Sequence, residues 1–190
     1  MRVAGGSLRG RVLAVPPGDA MRPTQDAVRE AVFSMLAAVL PGCGFLDLYA
    51  GTGAGGIEAW SRGAARVAWV ESAPKSLRCL ERNVAALCGT QAPEKLRVFR
   101  ADVSAWLRRP TLPDGSVDIV FADPPYVGRE GESDGMSALL AASAASGMLA
   151  PRSFFVAEQR AGTPPPSSPE WETICVRRYG RTQIALLRRG

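Results

Sequence analysis

Four acidic residues recur through the middle of the chain at intervals of about one strand–helix unit. They are Asp47, Glu71, Asp102 and Asp123, separated by 24, 31 and 21 residues. Each lies near or just after the end of an apolar stretch of the kind that forms a buried strand. Because ligands of open parallel sheets bind beyond the carboxyl ends of the strands, we expect these carboxylates to meet at one edge. Four acids there favour a positively charged ligand.

A glycine-rich segment, Gly51 to Gly56, follows the first of these apolar stretches. Its glycines allow a tight turn and a close approach of the backbone to a ligand. The segment also fits the dinucleotide pattern G-x-G-x-x-G, with Glu71 placed 20 residues after Gly51, so a nicotinamide-dinucleotide oxidoreductase is an alternative. A pyrophosphate disfavours a nearby anion, however, and Asp47 precedes Gly51 by only four residues. S-adenosylmethionine, a net cation, suits this acidic edge better.

The fourth acid opens the motif Asp123-Pro124-Pro125-Tyr126. Its two prolines fix φ and stiffen the chain, so that the Asp123 carboxylate, the Pro124 carbonyl and the Tyr126 ring can face one point. Two acceptors suit the hydrogens of an exocyclic amine, and an aromatic ring suits stacking on a base. The motif therefore predicts chemistry on a base amine. Composition alone does not distinguish guanine N2 from adenine N6, or RNA from DNA.

The elements that must position these groups alternate between strand and helix. An amphipathic helix opens at Pro23-Thr24 and is stopped by Pro41-Gly42. Residues 172–177 and 182–187 predict a terminal hairpin. The alternation predicts an α/β fold with a mainly parallel sheet and right-handed crossovers. The predicted strands cover residues 45–49, 66–71, 96–101, 117–122 and 153–157, and the helices between them residues 57–62, 75–87, 103–107 and 136–145.

The charge is concentrated at the two ends of the chain. Residues 1–30 carry a net charge of +2, residues 31–170 carry −1 and residues 171–190 carry +4, within a total of +5. Near the start, Arg2, Arg9 and Arg11 flank a glycine-rich turn that predicts a short hairpin. Arginine binds phosphate in a bidentate manner, so basic ends suit a polyanion such as nucleic acid.

Composition excludes several other classes of protein. The 190 residues, 46% hydrophobic and 22% charged, fit one domain with a sizeable core. The chain has no histidine, and its four cysteines form no C-x-x-C pair, which excludes a Cys/His zinc site and any histidine-dependent triad. We therefore expect no metal. No stretch has the length and apolarity of a membrane span, and no secretory signal is visible, so we expect a cytoplasmic protein without membrane contact.

Taken together, these motifs resemble the RsmD-like family of small-subunit (16S) ribosomal RNA guanine-N2 methyltransferases, within the class I S-adenosylmethionine-dependent methyltransferases. The resemblance implies a Rossmann-like fold: a mainly parallel seven-stranded sheet with helices on both faces and a short N-terminal β-hairpin. It divides the chain into an RNA-contacting extension, residues 1–20, and a methyltransferase domain, residues 21–190. Gly55 stands where the family has a bulkier residue. The segments that carry the resemblance are residues 2–11, 22–36, 47–64, 123–126 and 179–180.

The resemblance also implies a role for each candidate residue. Asp123 and the Pro124 carbonyl would accept hydrogen bonds from the reacting amine, Glu71 would bind the cofactor ribose and Asp102 the adenine amine. The substrate would be ribosomal RNA, free or in the assembling small subunit, and we expect a monomer. Arg22, Thr24 and Arg29 could instead reach the cofactor carboxylate. The implied catalytic residues are Asp123, Pro124, Pro125 and Tyr126; the S-adenosylmethionine-binding residues are Asp47, Ala50, Gly51, Thr52, Gly53, Glu71, Ser72, Asp102 and Val103; and the RNA-binding residues are Arg2, Arg9, Arg11, Arg22, Thr24 and Arg29.

Overall fold

The computed structural model describes residues 1–16, 23–89, 94–125 and 134–190. Helices and strands alternate up to the fifth strand, and the chain ends in two further strands. No helix in these ranges is long and apolar enough to cross a membrane. The elements are α1 (Pro23–Met35), β1 (Gly44–Leu48), α2 (Ala54–Ser61), β2 (Arg66–Glu71), α3 (Pro74–Leu87), β3 (Leu96–Arg100), α4 (Val103–Leu107), β4 (Val117–Ala122), α5 (Asp134–Ala145), β5 (Leu149–Arg160), β6 (Trp171–Tyr179) and β7 (Thr182–Arg189).

The seven strands form one sheet in the order β3-β2-β1-β4-β5-β7-β6. Strands β1 to β5 pair in parallel, whereas β7 runs antiparallel to both β5 and β6. The chain first builds outward from β1 to β3 and then returns to place β4 on the other side of β1. Such a reversal opens a crevice at the carboxyl ends of the two central strands, where open α/β sheets bind their ligands. Asp47 and Asp123 lie at that point.

Two apolar clusters cover the two faces of the sheet. On one face, Phe33 of α1 stacks on Phe45 of β1 with ring centroids 5.8 Å apart, within a cluster that also contains side chains of α2 and α3. On the other face, α4 and α5 pack over a cluster in which Phe155 meets Trp171 edge to face. The inner strands are buried on both sides, which explains why they read as continuous apolar stretches rather than as alternating ones.

Most predicted elements agree with the structure. Helix α1 ends at Met35, ahead of the predicted stop at Pro41-Gly42, and two further elements differ for identifiable reasons. Helix α2 begins at Ala54 rather than at residue 57. Its first turn contains Gly55 and Gly56, and since glycine has a low helix propensity, the sequence did not indicate that this turn is helical. Strand β5 begins at Leu149 rather than at residue 153. Its pairing with β4 shifts register there, and Arg152 has a positive φ of 58°. This irregularity interrupts the apolar pattern, so the sequence indicated only the part of β5 that follows it.

The predicted N-terminal hairpin is present in a minimal form. It consists of one antiparallel bridge between Arg2 and Val12, with turns between them. Val3 and Leu13 are buried in the main cluster, so the segment packs onto the sheet domain. Residues 17–20 of the predicted extension lie outside the described residues.

Candidate active site

An open cleft with about 180 Å³ of space for water-sized molecules lies at the carboxyl ends of β1, β4 and β5. Six of the predicted site residues line it, which are Arg29, Asp47, Ala50, Gly51, Thr52 and Asp123. The cleft therefore joins the glycine-rich turn to the start of the Asp-Pro-Pro-Tyr motif, although the two are far apart in sequence. Six further lining residues were not predicted, which are Met1, Tyr49, Ala54, Gly55, Phe121 and Glu158.

The turn between β1 and α2 is held in an unusual backbone conformation. Tyr49, Gly51 and Gly53 have positive φ angles of 58°, 56° and 83°. The Gly53 N–H donates to the Ala50 carbonyl at 2.7 Å, and a Cβ on Gly53 would lie 2.3 Å from Leu80 Cδ1. A side chain does not fit at Gly53, and Tyr49 adopts a left-handed conformation that a tyrosine rarely takes. Such strain clusters at functional sites.

Glu71 fixes this turn from the neighbouring strand. One carboxylate oxygen accepts the Gly51 N–H at 2.7 Å and the other accepts the Ala73 N–H at 2.7 Å. The side chain is buried. Each carboxylate oxygen can accept two hydrogen bonds, so each retains one further acceptor position. The arrangement leaves Glu71 able to bind two hydroxyl groups while it holds the turn, and its predicted role in binding ribose stays a prediction.

Asp47 occupies the amino-terminal end of α2. Its carboxylate accepts the Gly56 N–H at 2.8 Å and is 2% exposed. Burial raises the pKa of Asp47 to about 8; the Gly56 N–H opposes this rise, and the negative charges of Asp123 and Glu71 add to it. A Cβ on Gly55 would lie 2.9 Å from Asp47 Oδ2. The glycine that departs from the family pattern therefore allows the carboxylate to approach the helix this closely.

The predicted adenine-binding residues lie further along the sheet edge. Asp102 is exposed and caps α4, because its carboxylate accepts the Ala105 N–H at 2.8 Å. Val103 is 2% exposed beneath it, and Ser72 is exposed beyond β2. The capping role of Asp102 is a structural one. Its predicted contact with the cofactor stays a prediction.

Asp123 lies beside a second acid that the sequence analysis missed. Ala122 of β4 pairs with Ala157 of β5, so the next residues, Asp123 and Glu158, are neighbours at the cleft. Burial raises the pKa of Asp123 to about 6. Burial and the charge of Asp123 raise the pKa of Glu158 to about 8, against the opposing charge of Arg29. Within the described ranges, no hydrogen bond reaches either carboxyl group.

The same signal that indicated the other acids was present for Glu158. It directly follows the predicted strand 153–157, as Asp123 follows the predicted strand 117–122.

The predicted RNA-binding residues fall into three groups. Arg2, Arg9 and Arg11 are exposed on the N-terminal segment. Arg29 is only 8% exposed, and its Nη2 donates to the Arg2 carbonyl at 2.6 Å and to Asp26 at 2.9 Å. Arg29 thus joins α1 to the N-terminal segment at the side of the cleft. Arg22 lies outside the described residues, as do Tyr126 of the predicted catalytic motif and the side chain of Thr24.

Two buried polar side chains attach the N-terminal segment to the cofactor-side elements. Glu58 of α2, fully buried, accepts the N–H groups of Ala4 and Gly5 at 2.7 and 2.8 Å. Asn83 of α3 bonds the N–H and the carbonyl of Ala14, and donates to the Thr52 carbonyl at 2.9 Å. Of this segment, Met1 lines the cleft. No spacing in the sequence indicated these contacts, because each partner is more than 30 residues away.

The set of donors and acceptors in the cleft suits an organic cation. Three of its lining residues are acids, Asp47, Asp123 and Glu158, and the charge of Glu71 reaches Asp47. In the described ranges, no group of three or more histidine, cysteine, aspartate or glutamate side chains is arranged to hold a metal ion. A positive charge placed among these acids would favour their ionised forms.

Similarity to known proteins extends over almost the whole chain. The model of a family described as Conserved hypothetical protein 95 matches residues 1–188. Ribosomal RNA small subunit methyltransferase D of Escherichia coli K12 is 39% identical over 126 residues, which are 66% of this chain. The matched region spans about 60% of the length of that relative. The Bacillus subtilis protein YlbH is 31% identical over 191 residues, 100% of this chain and 99% of YlbH.

The fold is also similar to that of solved structures. The Escherichia coli protein yhhF superimposes with a TM-score of 0.82 at 28% identity, and the alignment covers 100% of this chain and 97% of that one. This superposition and the observed strand order confirm the predicted fold class.

Proposed function

The chain belongs to the family described as Conserved hypothetical protein 95, and on that basis we propose that it methylates ribosomal RNA. The family agrees with the resemblance to RsmD-like proteins that the sequence motifs indicated. The methyl donor would be S-adenosylmethionine, and the acceptor the exocyclic N2 amine of a guanine in the small subunit. One observation carries the proposal: the cleft joins the glycine-rich turn and its acids to Asp123, the start of the Asp-Pro-Pro-Tyr motif.

The geometry of Asp47 favours S-adenosylmethionine over a dinucleotide. In dinucleotide-binding folds the pyrophosphate lies at the amino-terminal end of the helix that follows the glycine-rich turn. Here the Asp47 carboxylate accepts the Gly56 N–H at that helix end, so a pyrophosphate would meet a buried acid. A sulfonium and an ammonium group would instead be attracted to it. This is why the oxidoreductase alternative is the weaker one.

Each cofactor-side residue has a position consistent with its proposed role. The turn from Ala50 through Gly51 and Thr52 to Gly53 would hold the methionine end, with Asp47 near the ammonium group. Glu71 would bind the ribose hydroxyls through its two free acceptor positions, with Ser72 beside it. Asp102 and Val103 would hold the adenine at the end of β3. Bound S-adenosylmethionine would supply an electrophilic methyl group on a sulfonium whose sulfide leaves without protonation.

The residues that follow β4 would prepare the amine. The lone pair of guanine N2 is delocalised into the ring, which makes it a poor nucleophile. Hydrogen bonds from N2 to the Asp123 carboxylate and the Pro124 carbonyl would favour a pyramidal nitrogen aimed at the methyl group, with Pro125 stiffening the motif and Tyr126 stacking on the base. After transfer, Asp123 can accept the proton of the amine. Its raised pKa, about 6, makes it a better proton acceptor than an ordinary carboxylate.

The exposed arginines supply a candidate surface for the RNA backbone. Arg2, Arg9 and Arg11 are exposed on the N-terminal segment, of which Met1 lines the cleft. If they bind phosphates, each contact should add about 0.7–0.9 to the slope of log affinity against log salt. Replacing all three by glutamine should make that slope shallower while leaving cofactor affinity unchanged, because none of them lines the cleft.

The proposed function is tested by transfer of tritiated methyl groups from S-adenosylmethionine. The acceptors are free small-subunit RNA and assembling small-subunit particles from cells that lack this protein, followed by digestion to nucleosides. We expect N2-methylguanosine, and the comparison of the two acceptors identifies the true substrate. Label in N6-methyladenosine, or in DNA in a parallel assay, would overturn the guanine assignment. Absence of transfer together with tight binding of NAD would support the oxidoreductase alternative.

A further inference from the structure

One acid in the cleft has no part in the reaction described above. Glu158 ends the part of β5 that borders the cleft, one residue after Ala157, and it is directly beside Asp123. It is half-buried, and no described residue donates a hydrogen bond to it. Desolvating a carboxyl group without a partner is costly, so a protein retains one chiefly where a ligand completes it.

The placement of Glu158 adds a further acceptor to those that would hold the reacting amine. Asp123 and Glu158 are neighbours on adjacent parallel strands, which lie about 5 Å apart. A base that presents its exocyclic amine to Asp123 can therefore place one of the two ring atoms next to that amine, N1, close to Glu158. Guanine and adenine differ at that atom: guanine has an N–H donor at N1 beside its N2 amine, whereas adenine has an unprotonated nitrogen at N1 beside its N6 amine.

We propose that Glu158 is a specificity-determining residue that accepts a hydrogen bond from guanine N1–H while Asp123 holds the N2 amine. Two adjacent donors on the base thus meet acceptors on two adjacent strands. Adenine would bring the lone pair of N1 against an acceptor oxygen and lose this contact. The inference rests on the proposed function, because it names the feature of the base that the same site would recognise.

The electrostatics of the cleft are consistent with this role. Glu158 faces the charges of Asp123 and Arg29, and Asp47 also lies in the cleft. Burial raises the pKa of Glu158, and the like charge of Asp123 raises it further. An N–H donor placed on Glu158 would offset that repulsion. The buried guanidinium of Arg29, which donates to the Arg2 carbonyl of the N-terminal segment, favours the ionised acceptor form of Glu158.

The test compares two bases that share the reacting 2-amino group and differ at N1 and at C6, where diaminopurine carries an amine in place of the guanine carbonyl. Once the methylated guanine has been located, small-subunit RNA is assembled by ligation with either guanine or 2,6-diaminopurine at that position, and is built into particles if particles are the substrate. Diaminopurine keeps the 2-amino group but has no hydrogen on N1. We expect the wild-type protein to prefer guanine in kcat/KM by about 10- to 100-fold, the discrimination of one base-edge contact.

The variant E158Q should narrow this preference by about tenfold or more, because the glutamine amide can donate to N1 of diaminopurine. The matched control E172Q alters an exposed glutamate on β6, paired with Arg188, and should keep the wild-type preference. E158D should keep S-adenosylmethionine affinity and the melting temperature but lose kcat/KM on guanine. If folded E158Q keeps the wild-type preference for guanine over diaminopurine, the inference about Glu158 is wrong, and the proposed function is unaffected. Absence of guanine N2 methylation by the wild-type protein overturns the proposed function, and the inference with it.

Discussion

The two halves of the cleft hold their acids in different ways. On the side of β1, β2 and β3, Asp47, Glu71 and Asp102 each accept backbone N–H groups of the protein itself. On the side of β4 and β5, Asp123 and Glu158 face each other, and no described residue donates a hydrogen bond to either. The first half is complete without a ligand, whereas the second half lacks partners.

This difference suggests that one half binds the cofactor and that the other half binds the substrate amine. Acids that hold the glycine-rich turn and the helix ends keep the cofactor side in one shape before anything binds. Asp123 and Glu158, to which no described residue donates a hydrogen bond, are ready to accept donors from a substrate. We therefore expect substitutions on the first side to alter cofactor affinity and stability, and substitutions on the second side to alter methyl transfer.

The largest effect is expected for D123N. The amide keeps the size of the side chain but removes the carboxylate that would hold the amine, so methyl transfer should fall by about 100-fold or more. S-adenosylmethionine affinity, measured by calorimetry, should change little, and the melting temperature should not fall, because repulsion from Glu158 is relieved. D114N, at an exposed residue ahead of β4, is the matched control. Near-normal turnover in D123N would mean that the β4–β5 side is not the catalytic one.

A smaller effect, on binding, is expected for E71A. The change removes the acceptor of the Gly51 and Ala73 N–H groups together with the proposed ribose contact. S-adenosylmethionine binding should weaken by roughly 1.5–3 kcal/mol, the scale of hydrogen bonds to a charged group, and the melting temperature should also fall. E81A, at an exposed residue of α3, should leave both unchanged. If E71A lowers stability but not affinity, Glu71 only holds the turn.

The pH dependence of cofactor binding tests the electrostatics of the cofactor side. Burial raises the pKa of Asp47 to about 8. Since a cationic cofactor favours the ionised carboxylate, its affinity should rise between pH 6 and pH 8, by less than about tenfold per pH unit, with release of a proton. Calorimetry in two buffers of different ionisation enthalpy measures that release. Affinity that is independent of pH would contradict the ion-pairing role of Asp47.

The stability of the ligand-free protein should vary with pH in the opposite direction. The folded protein holds protons on Asp47, Asp123 and Glu158 that the unfolded chain releases near pH 4. The contribution of these three acids to the free energy of unfolding should therefore be highest in acid and fall as the pH rises towards 8. Denaturant unfolding at several pH values measures this trend. A rise in stability over that range would mean that the ionised forms are stabilised in the folded protein.

The smallest effect is expected at Asp102 and separates its two possible roles. Loss of the cap in D102A should lower the free energy of unfolding by about 1 kcal/mol, whereas D102N should restore the cap, since asparagine caps helices equally well. If Asp102 also accepts from the adenine amine, D102A should weaken S-adenosylmethionine binding measurably. Wild-type affinity in both variants would leave Asp102 a capping residue only.

The acids were predictable because they follow a rule of position that needs no three-dimensional information. Asp47, Glu71 and Asp123 lie at strand ends that the apolar pattern marked, and parallel strands bring such ends to one edge. Glu158 obeyed the same rule, and the sequence could have indicated it. The backbone partners of these acids could not have been predicted, because whether Glu71 bonds Gly51 depends on how β2 lies against the turn after β1.

The sequence by itself determined the order of strands and helices, the acidic edge and the motif after β4, since each depends on local apolarity, on glycine and proline, and on spacing. Only the tertiary structure decided that Arg29 is buried against the N-terminal segment, that Glu58 and Asn83 attach this segment to the cofactor side, and that Asp123 has an acidic neighbour. These contacts join residues from 27 to 69 positions apart or lie across strands. Their geometry is set by packing of the whole sheet, which local sequence patterns do not encode.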